Sequence, residues 1–307
     1  KNREIASCLS TEELKYLKKT MHNLFFENNG DTAYLKHKNQ ISLENFTLLS
    51  KVGADNIEFE SRWINWDSTL SRGDVNGSFS FDNLPGEKTA FHVALDSSKI
   101  VVNDSLWLVE PFQFRYDSTS IELNAFHVAH NNEFIKVEGK LTDIKEDSLM
   151  FLFNDFNFAN LNYFTRSSTF KFGGILNGDA SIQGLSRPLF FAELFVDNLV
   201  INDEQIGDTY FDTRWNQQKE SIQIDADVHR NQIKTVNVTG DIYPQRNGEL
   251  NLAFNLNGFG LGFINPYLRS VFSDIEGETS GILTLSGTVK APKLNGTLDI
   301  KNAGLTV

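Results

Sequence analysis

Cysteine is all but missing from this chain: Cys8 is the single one in 307 residues, which excludes an internal disulfide framework and a thiolate metal cluster. Methionine, at two, and proline, at six, are also scarce, so the flexible side chains that fill helical cores do not pack this protein. No apolar run approaches the roughly 20 residues that a membrane-spanning helix needs, and the N-terminus lacks the apolar stretch and small-residue cleavage site of a signal peptide. Positive charge is in the minority, 28 Lys and Arg against 40 Asp and Glu for a formal net charge of -12. No Lys/Arg stripe in the sequence could neutralise a row of phosphates, and nucleic acid is not an expected partner.

What is present is phenylalanine, 26 of them, a stiff ring that favours strands. One segment departs from this. Ser10-Thr-Glu-Glu13 fits a capping box, and Leu14, Leu17, Met21, Leu24 and Phe25 follow at helical spacing until Asn28-Asn-Gly30, which predicts one amphipathic helix within a lead-in over residues 1–32. Its apolar face could cap the first β layer or meet a membrane or partner. From about residue 33 the period is two: Ile121 and Leu123, Ile222 and Ile224, and Leu250, Leu252, Phe254 and Leu256 each put apolar side chains on one face. Leu149-Met-Phe-Leu-Phe153 is apolar at every position, the pattern of a strand covered on both sides.

The chain also repeats. Phe156, Asn162, Gly178 and Gly184 match Phe259, Asn265, Gly281 and Gly287, 103 positions on, and Pro188, Leu194 and Asn198 match Pro292, Leu298 and Asn302 at 104. Between these blocks, Phe112-Gln-Phe-Arg-Tyr116 corresponds to Phe211-Asp-Thr-Arg-Trp215, and Val137-Glu-Gly-Lys-Leu141 to Val238-Thr-Gly-Asp-Ile242. A fainter copy runs from Ile41 through Phe46, Ile57, Phe59 and Trp63 to Gly73 and Pro85. Such periodicity predicts stacked β units, over 33–108, 109–207 and 208–307, each of about six strands, with no linker between them. Asn76-Gly77, Asn177-Gly178, Asn247-Gly248 and Asn295-Gly296 are expected turns.

Catalytic signatures are few. There is no Gly-x-Ser-x-Gly elbow, phosphate loop or dinucleotide fingerprint, and Gly258-Phe-Gly-Leu-Gly262 reads as a turn. His127 and His130, three apart, point to opposite faces of a strand and would not share a metal. Asp179, Asp225, Asp227 and Asp241 would serve a polysaccharide-cleaving enzyme if they met in a cleft, but solvated outward positions account for them more simply. Asn45-Phe-Thr47 and Asn237-Val-Thr239 are glycosylation triplets only in a eukaryotic secretory pathway.

The ordered strings Gly178-Asp-Ala-Ser-Ile-Gln-Gly184 to Pro188, and Gly281-Ile-Leu-Thr-Leu-Ser-Gly287 to Pro292-Lys-Leu-Asn-Gly-Thr-Leu298, resemble the glycine-proline pattern of the TamB family of Gram-negative envelope proteins, within the wider AsmA-like group. The resemblance covers roughly residues 40 to 307. It implies an all-β, elongated, curved solenoid or taco-like repeat sheet with a hydrophobic concave groove, in the periplasm. The protein would be anchored in the inner membrane by a segment outside this sequence, working with an Omp85-type outer-membrane barrel and needing no cofactor or metal. Its ligand would be phospholipid, with acyl chains on Phe79, Phe81, Phe112, Phe114, Phe151, Phe153, Leu252, Phe254, Leu283 and Leu285. From the residues alone these side chains fit either an open groove or a closed core between two sheet walls. A non-enzymatic lipid conduit is the leading expectation, and a scaffold that pairs its strand edges with outer-membrane β segments is the alternative.

Overall fold

A computed structural model describes residues 27–28, 33–34, 46–53, 56–66, 70–82, 89–102, 104–163, 171–264 and 273–306. The period-two alternation forms strand throughout: every regular element among these residues is a β-strand or a short 3-10 turn, so the chain is all-β. The helix expected in the first 30 residues lies outside the described residues except at its end. There Glu27–Asn28 (β1) pairs with Ala33–Tyr34 (β2) as a short antiparallel ladder. The remaining strands fall into two compact units, Lys1–His130 with Tyr163–Ser167, and Asn131–Asn162 with Ser168–Val307.

The first unit holds β3 (Thr47–Val52), β4 (Asn56–Trp66), β5 (Leu70–Asp82), β6 (Ala90–Leu95), β7 (Ser98–Val102), β8 (Ser105–Val109), β9 (Phe112–Asp117) and β10 (Ser120–His130), all antiparallel. Its two long strands are shared between partners. β5 pairs with β6 through residues 77–82 and with β7 through 72–74. β10 pairs with β9 through 120–124 and with β8 through 128–129. The break in β10 falls at Ala125, whose φ of 59° is one that a side chain disfavours. Opposite Gly73, the Trp63 indole occupies the space a Cβ would fill, so the ring covers the bare backbone.

The second unit is a meander in which each strand pairs with the next: β11 (Glu133–Leu141), β12 (Ser148–Asn157), β13 (Phe172–Gln183), β14 (Leu189–Ile201), β15 (Glu204–Asn216), β16 (Ser221–Arg230), β17 (Ile233–Tyr243), β18 (Glu249–Gly260), β19 (Ser273–Thr288) and β20 (Ala291–Thr306). The sequence repeat has a counterpart in the order of elements. Four strands, a 3-10 turn and two strands occur as β9 to β14 around Phe158–Tyr163, and again as β15 to β20 around Leu261–Ile264, the second copy adding the 3-10 turn Pro244–Arg246 between β17 and β18. Ile206, Val228 and Val236 form a buried cluster here, with Leu199, Ile201, Leu256 and Phe259 packed on it.

Two expectations are corrected. Of the four Asn-Gly pairs only Asn247-Gly248 makes a turn, after the 3-10 turn Pro244–Arg246; the others lie inside β5, β13 and β20. Gly178 shows why. Its φ is 118°, and a Cβ there would collide with the Glu193 carbonyl oxygen of β14, so this glycine lets two strands close up in mid-ladder. The apolar run Leu149 to Phe153 is not covered on both sides: Met150 is 47% and Leu152 42% exposed.

Candidate functional site

Direct cross-strand partners share a face, and alternate residues share it along a strand. Following the register therefore shows which side chains meet. In the second unit one row runs Val137, Phe151, Ala180, Ala192, Thr213, Ile224, Gly240, Leu252, Leu285, Leu294. The next row on that face runs Ile135, Phe153, Gly178, Leu194, Phe211, Ala226, Val238, Phe254, Leu283, Gly296. Both cross all ten strands with no charged side chain. Thr213 is the single polar member, and its hydroxyl is occupied by the backbone N–H of Ala192 at 2.7 Å.

All six residues expected here from the sequence, Phe151, Phe153, Leu252, Phe254, Leu283 and Leu285, fall on these two rows. Leu252 is buried, and the other five are half-buried. Neighbouring rings and methyls shield them from the sides while part of each stays accessible.

The first unit places its four expected residues on one face as well. Ile57, Phe79, Val93, Phe114 and Leu123 form one row, and Phe59, Gly77, Leu95 and Phe112 another. Phe81, Phe91, Tyr116 and Ile121 form a third. Aromatic contacts tie these rows together: Phe59 stacks on Phe79 at 4.6 Å between centroids, Phe79 on Phe91 at 5.9 Å, and Phe81 meets Phe91 at 5.3 Å. Each such pair contributes about 1 kcal/mol beyond its area.

The opposite face of the second unit mixes exposed apolar side chains, Met150, Leu152 and Ile282 among them, with a band of carboxylates. Across it Asp179, Glu193, Asp212 and Asp225 stand directly opposite one another on consecutive strands. Arg214 bridges to Asp212 at 2.8 Å and has its own pKa raised, first by that hydrogen bond and then by the surrounding carboxylates. Asp227 accepts hydrogen bonds from Lys234 at 2.6 Å and Asn237 at 2.9 Å, which outweigh the effect of burial and lower its pKa. Asp241 departs from the outward, solvated position expected for it. It is 6% exposed and takes hydrogen bonds from Lys219 Nζ at 2.8 Å and Ser221 Oγ at 2.6 Å; burial raises its pKa, the two donors more than compensate, and the net shift is downward. The four aspartates proposed from sequence thus form a ladder and two ion-paired clusters.

His127 Nδ1 lies 3.0 Å from Glu110 and His130 Nδ1 lies 2.7 Å from the Leu106 carbonyl. Each imidazole is thereby drawn to its own partner. Among the described residues no group of three or more His, Cys, Asp or Glu is placed to hold a metal ion, and no helix is long and apolar enough to cross a membrane.

Sequence reasoning missed several members of the apolar faces: Phe59, Phe91, Leu194, Phe211 and Val238. The signal for Phe211 was available, because the repeat aligns it with Phe112. Phe59 and Phe91 sit in the eroded copy, where no second copy marks them. Comparison with protein-family models, curated proteins and solved structures finds no match for this chain.

Proposed function

We propose that this chain conducts lipid, its apolar strand faces taking acyl chains while headgroups remain in water at the margins. The observation that carries the reading is the pair of uncharged cross-strand rows spanning β11 to β20. Half-buried Phe and Leu on such rows leave apolar area for a ligand to cover, and each methylene buried there contributes about 0.8 kcal/mol. In this reading the face is the wall of a hydrophobic groove in a curved, solenoid-like repeat sheet.

The glycine-proline repeats extend the reading to a TamB-like or AsmA-like setting. There the chain is a periplasmic segment of an inner-membrane-anchored bridge that shields phospholipid on its way between membranes, contributes to outer-membrane biogenesis, and works with an Omp85-type barrel. No catalytic residue is required. The test is lipid extraction and mass spectrometry of the purified protein, alongside Phe153→Asp and Phe254→Asp variants. Both variants should lose co-purifying phospholipid while keeping their far-UV β signature. Full lipid retention by both variants would overturn the reading.

A second reading, a scaffold that pairs strand edges with outer-membrane β segments, is favoured by one observation. Nearly all of the side chains of β20 are exposed. Proline substitutions along β20 should then impair assembly of barrel substrates more than Phe254→Asp does; the reverse order of effects rejects the scaffold.

A further inference from the structure

We propose that the hairpin rim of the second unit holds a zwitterionic phospholipid headgroup, with phosphate on its basic side chains and ammonium on its exposed carboxylates. The inference rests on the apolar face taking acyl chains, as proposed above. In an antiparallel meander alternate connections lie at the same end. Those at one end are the five turns β11–β12, β13–β14, β15–β16, β17–β18 and β19–β20, and each carries one exposed basic residue: Lys145, Arg187, Lys219, Arg246 and Lys290 respectively. At the other end the described connections carry Lys171 alone, and Asn202-Asp203 and Asn231-Gln232 hold no cation.

With adjacent strands about 4.8 Å apart, cations on every second connection recur at roughly 10 Å intervals. The apolar face reaches this rim. Leu149, Ile182 and Phe190 are in direct register, as are Trp215, Ile222, Ile242 and Leu250, and these residues lie next to the turns. A lipid with its tail on the face would therefore bring its phosphate to the basic side chains.

The carboxylates decide the headgroup. Asp143 is occupied by Ser186, whose N–H and Oγ donate to it at 2.8 and 2.6 Å, and Asp147 by Thr142 Oγ at 2.7 Å. Glu146 and Glu220 are exposed and follow Lys145 and Lys219 directly in sequence. Lys219 is held by Asp241 and Arg246 lies over the Tyr243 ring at 4.5 Å, which leaves Lys145, Arg187 and Lys290 as the more available cations. A purely anionic headgroup would meet Glu146, Glu220 and a chain of net charge -12. A phosphate with a tethered ammonium matches both signs at once.

The experiment uses the full chain and three lipids with identical dioleoyl tails: a phosphoethanolamine lipid, a phosphoglycerol lipid and diacylglycerol. Capture is quantified by mass spectrometry for the wild type and for the Lys145→Glu/Arg187→Glu/Lys290→Glu variant. Wild type should favour the phosphoethanolamine lipid. The variant should lose that preference by about tenfold while capturing diacylglycerol as before, since exposed charge contacts are each worth a factor of a few. Raising the salt should erode the wild-type preference in the same way. Equal capture of all three lipids by wild type, or an unchanged preference in the variant, overturns the headgroup rim and leaves the acyl-chain reading standing. Failure of wild type to capture any of the three removes the acyl-chain reading and this proposal with it.

Discussion

Asp155, held at a φ of 47°, donates its backbone N–H to Asn177 Oδ1 at 2.8 Å. Gly258 and Ser280, each 103 positions further on, repeat the relationship: Gly258 has a φ of 60° and donates its N–H to Ser280 Oγ at 2.9 Å. Both donors sit where the register shifts, between Phe153 and Phe156 in one copy and between Leu256 and Phe259 in the other. A bulge leaves one N–H without a ladder partner, and a polar side chain from the next strand supplies the acceptor. The repeat thus preserves the solution to a backbone problem while the residue types change.

Removing either acceptor should cost about 1 kcal/mol. Asn177→Ala and Ser280→Ala are expected to lower the urea midpoint by similar amounts, with unchanged m-values. Near-equality of the two effects is the point to check, since the two sites do the same work in different copies.

Gly240 has a φ of 148°, and a Cβ on it would collide with the Asn251 carbonyl oxygen of β18. Gly240→Ala should therefore destabilise the protein by more than about 2 kcal/mol, the range of a strained strand with forced separation. Gly304→Ala is the control: the nearest atom to its added methyl, on Glu276, would be 3.8 Å away. Thermal and urea unfolding of the two variants should differ sharply.

Acid should unfold this protein progressively. Hydrogen bonds from the Thr119 hydroxyl and N–H, joined by Ser120 and Arg115, hold Asp117 far below the ordinary carboxylate range against the opposing effect of burial. Asp241 is lowered too. A carboxyl whose folded pKa is depressed binds fewer protons in the folded state, so its stabilisation is complete above the unfolded value of about 4 and is lost as pH falls toward the folded value. Urea midpoints should be flat from pH 7 to about 5 and then decline, and Asp117→Asn should flatten the decline. An equally steep decline in that variant would rule Asp117 out as a contributor.

Glu193 faces Asp179 on one side and Asp212 on the other in the carboxylate ladder. Like charges directly opposite on neighbouring strands destabilise a sheet by a few tenths of a kcal/mol. Glu193→Gln should accordingly raise the urea midpoint at low ionic strength, and the gain should shrink in 0.5 M salt as screening shortens the range of repulsion.

Strand was legible because alternation imposes it locally: Ile222 and Ile224, or Leu252 and Phe254, can share a buried face only at period two. The ten expected apolar residues were legible for the same reason, and each fell on the apolar face of its unit. The Asn-Gly pairs misled because the dipeptide states only that φ can be positive. Gly178 uses that freedom to let β14 approach, whereas Gly248 uses it to turn. Asp241 misled because its burial depends on Lys219 and Ser221, some 20 residues upstream, which reach it only once β16 and β17 have paired.

By itself, then, the sequence determined that the chain is β, that it repeats, and which positions are apolar, because propensity, period and turn-breaking residues act over a few neighbours. Register was decided by tertiary structure. It joined Phe153 to Leu283 across seven strand pairings through six uncharged partners, and it gathered Lys145, Arg187, Lys219, Arg246 and Lys290 onto one rim. No run of basic residues exists along the chain, so that row of charge arises only when the hairpins stack side by side.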